Sequence, residues 1–137
     1  MGYRSEVSYI VRFKDSEDRE AFINLLLVAK DAHTTQALKE LSKLENDKLF
    51  FHAEDVKWYD GYDDVKAHTQ IYLQAVELFE GAGYRYVRIG EEVEDIEIEE
   101  DGDYDDLWDY TSINRSIAVE VDEAQLKPIL TDEGELA

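Results

Sequence analysis

The segment EVSYIVRF at residues 6–13 alternates apolar with mostly polar side chains. Val7, Tyr9, Val11 and Phe13 fall on one side of an extended chain, because successive side chains of a strand point to opposite faces. The pattern predicts a β-strand with half of its surface buried. What covers that surface depends on the elements that follow.

Two helices are predicted directly after this strand. Residues 16–31 carry apolar side chains at i, i+3, i+4 and i+7, the spacing of a helix that packs on one face, and Asp15 or Ser16 can cap the N-terminus. A second helix is predicted over residues 34–46, where a threonine pair offers a cap and leucines recur at every third position. Its apolar stripe is narrower.

A third helix, over residues 63–80, has the clearest pattern in the chain. The glycines at 81 and 83 supply the left-handed conformations that end helices. The residues that share its apolar face are Val65, Thr69, Tyr72, Leu73, Val76 and Phe79.

Four more strands complete the prediction. They lie at residues 48–59 with a possible bend at 54–55, at 84–89, at 93–99 and at 114–121, and a single bulged strand over 84–99 is the alternative for the middle pair. Helices and strands do not alternate regularly, so a parallel βαβ arrangement is disfavoured. The sequence predicts an α+β fold, a two-layer sandwich in which a mostly antiparallel sheet of about five strands carries about three helices on one face.

One domain is expected over residues 1–122, because a chain of 137 residues is long enough for one core. Residues 123–137 are predicted to form a short acidic C-terminal tail. The chain has no cysteine, no signal-peptide pattern and no apolar run long enough to cross a bilayer. These features predict a cytoplasmic protein.

The formal charge of −20 is concentrated in one part of the chain. Residues 1–48 hold 8 basic and 9 acidic side chains, whereas residues 49–137 hold 6 basic and 25 acidic ones. Adaptation of a whole surface to high salt would not leave the first third neutral. The negative part would be repelled by nucleic acids and anionic membranes, so direct binding to either is not expected.

Twelve carboxylates and no lysine or arginine occur between residues 91 and 109, with aromatic and aliphatic residues among them. Carboxylates attract a basic partner over a distance, and tyrosine or tryptophan adds desolvated contact area and cation–π contacts. A smaller group of this kind, with Trp58, lies at residues 58–64. The residues predicted to bind a partner are Glu94, Glu97, Glu99, Glu100, Asp101, Asp103, Tyr104, Asp105, Asp106, Trp108 and Asp109.

Three other interpretations stay open. The acids of strand 93–99 can simply keep an exposed face polar and prevent edge-to-edge pairing. The aspartates of 101–109 offer oxygens for a metal-responsive module, but Asp106 and Ser112 stand where a calcium loop needs glycine and glutamate. His52 and Glu54 would share a strand face and suit a metal or a general base.

No complete catalytic motif is present, so an enzyme is not expected, and no cofactor, catalytic residue or metal ligand is assigned. The opening residues 1–7, MGYRSEV, resemble the start of small uncharacterised proteins of tailed bacteriophages. In charge and size alone, the chain resembles acidic phage proteins that imitate DNA to disable host defence. That resemblance implies a basic host protein as partner, one that binds nucleic acid. It carries over no individual residue and leaves the oligomeric state open.

Overall fold

A computed structural model describes residues 3–103, 105–114 and 116–137. The described residues form three α-helices and a six-stranded antiparallel sheet, which confirms the predicted α+β class. The helices are α1 (Ser16–Val28), α2 (Ala32–Glu40) and α3 (Asp63–Leu78). The strands are β1 (Ser5–Arg12), β2 (Ser42–Leu44), β3 (Lys48–Val56), β4 (Gly83–Ile89), β5 (Ile96–Gly102), β6 (Thr111–Asn114), β7 (Ser116–Val119) and β8 (Lys127–Pro128).

The large sheet has the strand order β5-β4-β1-β3-β2-β8. β1 is the alternating segment quoted from the sequence, and it pairs with β3 on one side and β4 on the other. β5 pairs only with β4, so it is an edge strand. The bend predicted at residues 54–55 lies in β3, at Asp55, where the backbone has φ +56° and the register with β1 shifts.

The three helices cover one face of the sheet, as predicted. Val7, Tyr9 and Val11 of β1 point into this main core, where they meet Phe22 of α1 and Tyr72 of α3, all of them buried. The side chain of Asp15 accepts a hydrogen bond from the backbone N–H of Asp18 and caps α1. The apolar sides of the helices therefore pack against this face of the sheet.

The opposite face of the sheet carries a further, smaller layer that the sequence did not predict. The strand predicted at 114–121 is the shorter β7, and β6, which was not predicted, pairs with it as an antiparallel hairpin. A second core lies beneath this layer, and its buried members are Ile10, Leu44, Phe50 and Leu107. The hairpin forms because this face also carries apolar side chains that need cover.

Two predicted elements have different bounds. The second helix ends at Glu40, and Asp31 caps it instead of a threonine. Leucines at every third position suggested a helix to residue 46, but Leu44 lies in β2, which pairs with β3. The strand predicted at 93–99 is β5, Ile96–Gly102, because residues 91–95 form the turn that reverses the chain after β4.

Residues 123–137 do not form a free tail. β8 pairs with β2 at the edge of the sheet, and Ile129 and Leu130 are buried in the main core. The backbone N–H of Ala137 donates to the carbonyl of Ile129 at 3.0 Å. Burial of this apolar pair explains why the segment folds back in spite of its acidic residues.

None of the described helices has both the length and the hydropathy that a membrane span requires.

Candidate functional site

The acidic stretch predicted from the sequence begins on the open edge of the sheet. All seven residues of β5 are exposed, including Ile96 and Ile98, and one edge of the strand pairs with no other described strand. The chain leaves β5 at Gly102, which lies directly opposite Gly83 of β4. A side chain on either glycine would overlap backbone atoms of the other segment, and Gly102 has φ +72°. The described residues that follow this close crossing, 105–110, lie on the hairpin side of the sheet.

Three of the predicted acids are held by arginines of the sheet. Glu97 pairs with Arg88. Glu100 lies 2.8 Å from Arg85. Asp103 lies 2.6 Å from Arg12, which also donates to the carbonyl oxygen of Asp105 at 2.7 Å. These ion pairs hold β5 and the following loop against the rest of the sheet. Because the three carboxylates are already partly neutralised, they are less available to a partner.

The other predicted acids have no lysine or arginine partner among the described residues. Glu99 accepts a hydrogen bond from the hydroxyl of Tyr72 at 3.3 Å, and Asp101 accepts from the N–H of the next residue. All of these acids are exposed. The unpaired acids are Glu94, Glu99, Asp101, Asp105, Asp106 and Asp109. These six acids carry the negative charge that no described cation offsets, in the turn before β5, along β5 and in the loop that follows.

The acidic loop, residues 105–110, is anchored by one buried side chain. Leu107 is fully buried in the second core, between the exposed Asp106 and Trp108. Asp106 has φ +71°, and a single turn of 3₁₀ helix follows over Leu107–Asp109. Trp108 is 60% exposed, a large fraction for a tryptophan, since this residue type is highly buried on average. Tyr104 lies outside the described residues.

Tyr110 ties the far end of this loop to the turn between β2 and β3. Its hydroxyl donates to Glu45 at 2.9 Å, and the ammonium group of Lys48 lies 5.3 Å from the centre of its ring. Burial and the hydrogen bond to Glu45 raise the pKa of Tyr110. Tyr110 thus supports the loop, and Trp108 is the aromatic side chain that the loop presents to solvent.

A second network fixes the turn that precedes β5. The guanidinium of Arg88 donates two hydrogen bonds to Asp95, at 2.6 and 3.1 Å, and the hydroxyl of Tyr3 donates a third at 2.7 Å. The hydrogen bonds from Arg88, and then the one from Tyr3, hold the pKa of Asp95 below its usual value. Arg88 also pairs with Glu97, so it joins the turn to β5.

Replacing Asp95 with asparagine is expected to change how stability depends on pH. Because the pKa of Asp95 is lower in the folded protein than in the unfolded chain, its contribution is complete above the unfolded pKa of about 4. It is lost as the pH falls through the lower folded value. Urea unfolding of both proteins between pH 7 and pH 2.5 should show a difference that shrinks on acidification. A difference that is constant over this range would contradict the assignment.

The aromatic group at 58–64 differs from the acidic loop. Trp58 is partly buried and packs against Phe51 and His68, at ring-centre distances of 5.7 and 5.5 Å. Tyr59 packs edge-on against Tyr62, which is exposed. Trp58 therefore belongs to the border of the main core, and the resemblance between the two segments is one of composition.

His68 is a residue whose role the sequence did not indicate. It is buried, with Nδ1 2.6 Å from the hydroxyl of Tyr9 and Nε2 2.8 Å from a carboxylate oxygen of Glu40. The chain of three side chains ties β1 to α2 and α3 beside a cavity of about 510 Å³ that Trp58 also lines. Its position four residues before Tyr72, on the apolar face of the third predicted helix, was the available signal.

His52 and Glu54 share a face of β3, as their spacing predicted, and the fold brings Glu6 of β1 to them. Nε2 of His52 lies 2.9 Å from Glu6, and one ligand atom from each of the three residues lies within 4.8 Å of the others. In the described part of the chain, the aspartates of 101–109 make no comparable group. Among the described residues, the group that could hold a metal is thus the predicted pair His52 and Glu54 joined by Glu6, and not the aspartates of 101–109.

No family model, curated protein or solved structure matches this chain.

Proposed function

We propose that this protein is a non-enzymatic acidic binding protein, encoded by a bacteriophage, that occupies a basic surface of a nucleic-acid-binding protein in the host cytoplasm. One observation supports this most: the acidic loop exposes Trp108 between Asp106 and Asp109, two carboxylates that have no cationic partner among the described residues. Carboxylates steer a basic partner and set its orientation, and a buried aromatic anchor supplies most of the affinity.

The placement of the charges favours a partner over a solubility coat. Arg12, Arg85 and Arg88 hold some acids and so stiffen the edge and the loop, while the remaining acids stay free. A surface held in one conformation loses less entropy when it binds. Solubility alone gives no reason to expose Trp108 among the aspartates of the acidic loop.

The same charges argue against two other partners. Phosphates of DNA or RNA would be repelled by the loop and by β5. A second copy that paired along β5 would bring carboxylates of the two strands next to each other, and like charges across a strand pair are destabilising. A strand or groove rich in lysine and arginine has neither cost, and the open edge also offers it backbone hydrogen-bonding groups.

Neutralising three acids of the loop is expected to weaken partner binding. The variant Asp105→Asn, Asp106→Asn, Asp109→Asn removes three charges that have no described cationic partner. Exposed ion pairs contribute about 0.2–1 kcal/mol each, so the loss of three should lower affinity at least about threefold at low salt. The loss should shrink as salt rises, because screening acts over about 8–10 Å near physiological ionic strength.

The measurement starts from the heparin-binding proteins of a bacterial lysate, captured on the immobilised protein at low salt. The captured partner is purified, and its affinity for each variant is measured by calorimetry over a series of salt concentrations. The matched control is Asp132→Asn, Glu133→Gln, Glu135→Gln, which makes the same change in formal charge beside α2. If the two variants lose the same affinity for the partner, the acidic loop is not the contact surface and serves only solubility. Failure to capture any basic protein would also count against the proposal.

A further inference from the structure

Two strands bring an imidazole and two carboxylates together on the hairpin side of the sheet. We infer that Glu6, His52 and Glu54 bind a divalent transition-metal ion, with Zn²⁺ preferred. The site is separate from the acidic loop and does not depend on the function proposed for that loop. Nitrogen and oxygen ligands of this kind suit Zn²⁺ and Mn²⁺, whereas Ca²⁺ and Mg²⁺ take oxygen ligands almost alone.

The distances fit one ion. Zinc bonds to histidine nitrogen and carboxylate oxygen are about 2.0–2.2 Å long, so two atoms bound to the same ion lie roughly 3–4 Å apart. The Nε2 of His52 and the nearer carboxylate oxygen of Glu6 are 2.9 Å apart, and the set of three atoms lies within 4.8 Å. Glu54 is exposed, so its side chain has room to rotate toward an ion held by the other two residues.

The surroundings of the three residues favour a cation. Glu54 has no hydrogen-bond or ion-pair partner among the described residues, so its charge is uncompensated. The cavity of about 450 Å³ beside Glu6 and Glu54 is lined by two more acids, Asp55 and Glu91, and by one arginine, Arg4. Arg4 donates to the backbone carbonyl of Asp55, and it makes no ion pair within the described chain. The negative charge of the cavity thus exceeds the positive charge.

Two polar groups of the sheet and hairpin surround the proposed ligands. The second oxygen of Glu6 accepts a hydrogen bond from the backbone N–H of Ile117 at 3.2 Å, which orients the carboxylate as outer contacts do in metal sites. Ser8 lies directly opposite His52 in the register and two residues from Glu6, so it shares their face. Its hydroxyl is fully buried and has no hydrogen-bond partner among the described residues. A water bound to the ion would satisfy it.

Calorimetry of the full chain with Zn²⁺, Mn²⁺ and Ca²⁺ tests the site. One saturable site is expected, tightest for Zn²⁺ and weakest for Ca²⁺. His52→Ala and Glu54→Gln should each weaken Zn²⁺ binding at least about tenfold, because even groups that only orient a ligand cost about 10- to 100-fold. Because Glu54 is exposed, the Glu54→Gln variant is expected to fold. It therefore still tests the site if the His52→Ala variant fails to fold.

The matched controls change the same residue types elsewhere. His33→Ala removes an exposed histidine of α2, and Glu94→Gln removes an exposed acid from the turn before β5. Both should leave Zn²⁺ affinity within about twofold of the unchanged protein. The inference is overturned if no saturable site is found, if Glu54→Gln binds Zn²⁺ as tightly as the unchanged chain, or if Glu94→Gln weakens binding equally, which would indicate diffuse attraction to acids.

Discussion

Replacing Leu107 with alanine is expected to lower the free energy of unfolding by about 2–5 kcal/mol, the range for a buried leucine whose site cannot collapse. Leu107 is fully buried against Ile10, Leu44 and Phe50, side chains that come from three strands. It is also the one side chain of the 3₁₀ turn that is buried, between Asp106 and Trp108. Its loss therefore removes the apolar anchor of the acidic loop as well as part of the second core.

Urea unfolding at neutral pH measures this effect, with Val93→Ala as the control. Val93 is 92% exposed in the turn before β5, so its truncation should change stability by less than about 0.5 kcal/mol. Amide hydrogen exchange should also become faster across residues 105–110 in the Leu107 variant. Within α3, the amides that exchange most slowly in the unchanged protein should remain the slowest. A loss below about 1 kcal/mol would mean that the loop does not depend on this anchor.

Replacing Trp108 with alanine is expected to have the largest effect on partner binding, about 2 kcal/mol or roughly 30-fold in affinity, as for a central aromatic anchor. Trp108 is 60% exposed, so the variant should unfold with nearly the same free energy as the unchanged protein. No charge is altered. The slope of affinity against salt should therefore stay as it is, which separates this variant from the triple loop neutralisation.

The control for Trp108 is Tyr62→Ala, which truncates another exposed aromatic residue beside acids. Because Tyr62 lies at the N-terminus of α3, outside the acidic loop, its loss should leave affinity within about twofold. Calorimetry with the purified partner gives both values. Equal effects of the two variants would mean that the acidic loop is not the contact surface.

Local patterns predicted the parts of the fold that depend on local packing. α3 was predicted within two residues of its ends, because its apolar face and the following glycines agree. Leu44 was misassigned because its spacing from Leu41 fits a helix, and only pairing of β2 with β3, a tertiary contact, places it in a strand. β6 was missed for the same reason: the hairpin packs on a second core formed by residues distant in the sequence.

The sequence predicted which residues belong to the candidate site, but not which ion pairs and hydrogen bonds they form. Asp103 and Asp105 looked equivalent in the sequence, but Arg12, more than ninety residues away, binds the carboxylate of the first and only the carbonyl of the second. Likewise, His52 and Glu54 were visible as a pair in one strand, while Glu6 joins them only through the register of β1 and β3. Such partners follow from strand order, which local periodicity does not determine.

Competition with nucleic acid shows whether this protein occupies the nucleic-acid-binding surface of its partner. The purified partner is saturated with its fluorescent nucleic acid, and the acidic protein is added while anisotropy and complex size are recorded. We expect stoichiometric displacement of the nucleic acid and no ternary complex. The Asp105→Asn, Asp106→Asn, Asp109→Asn variant should need a higher concentration to displace the same fraction of nucleic acid. A stable ternary complex, or nucleic acid that remains bound at saturating acidic protein, would contradict the proposed function.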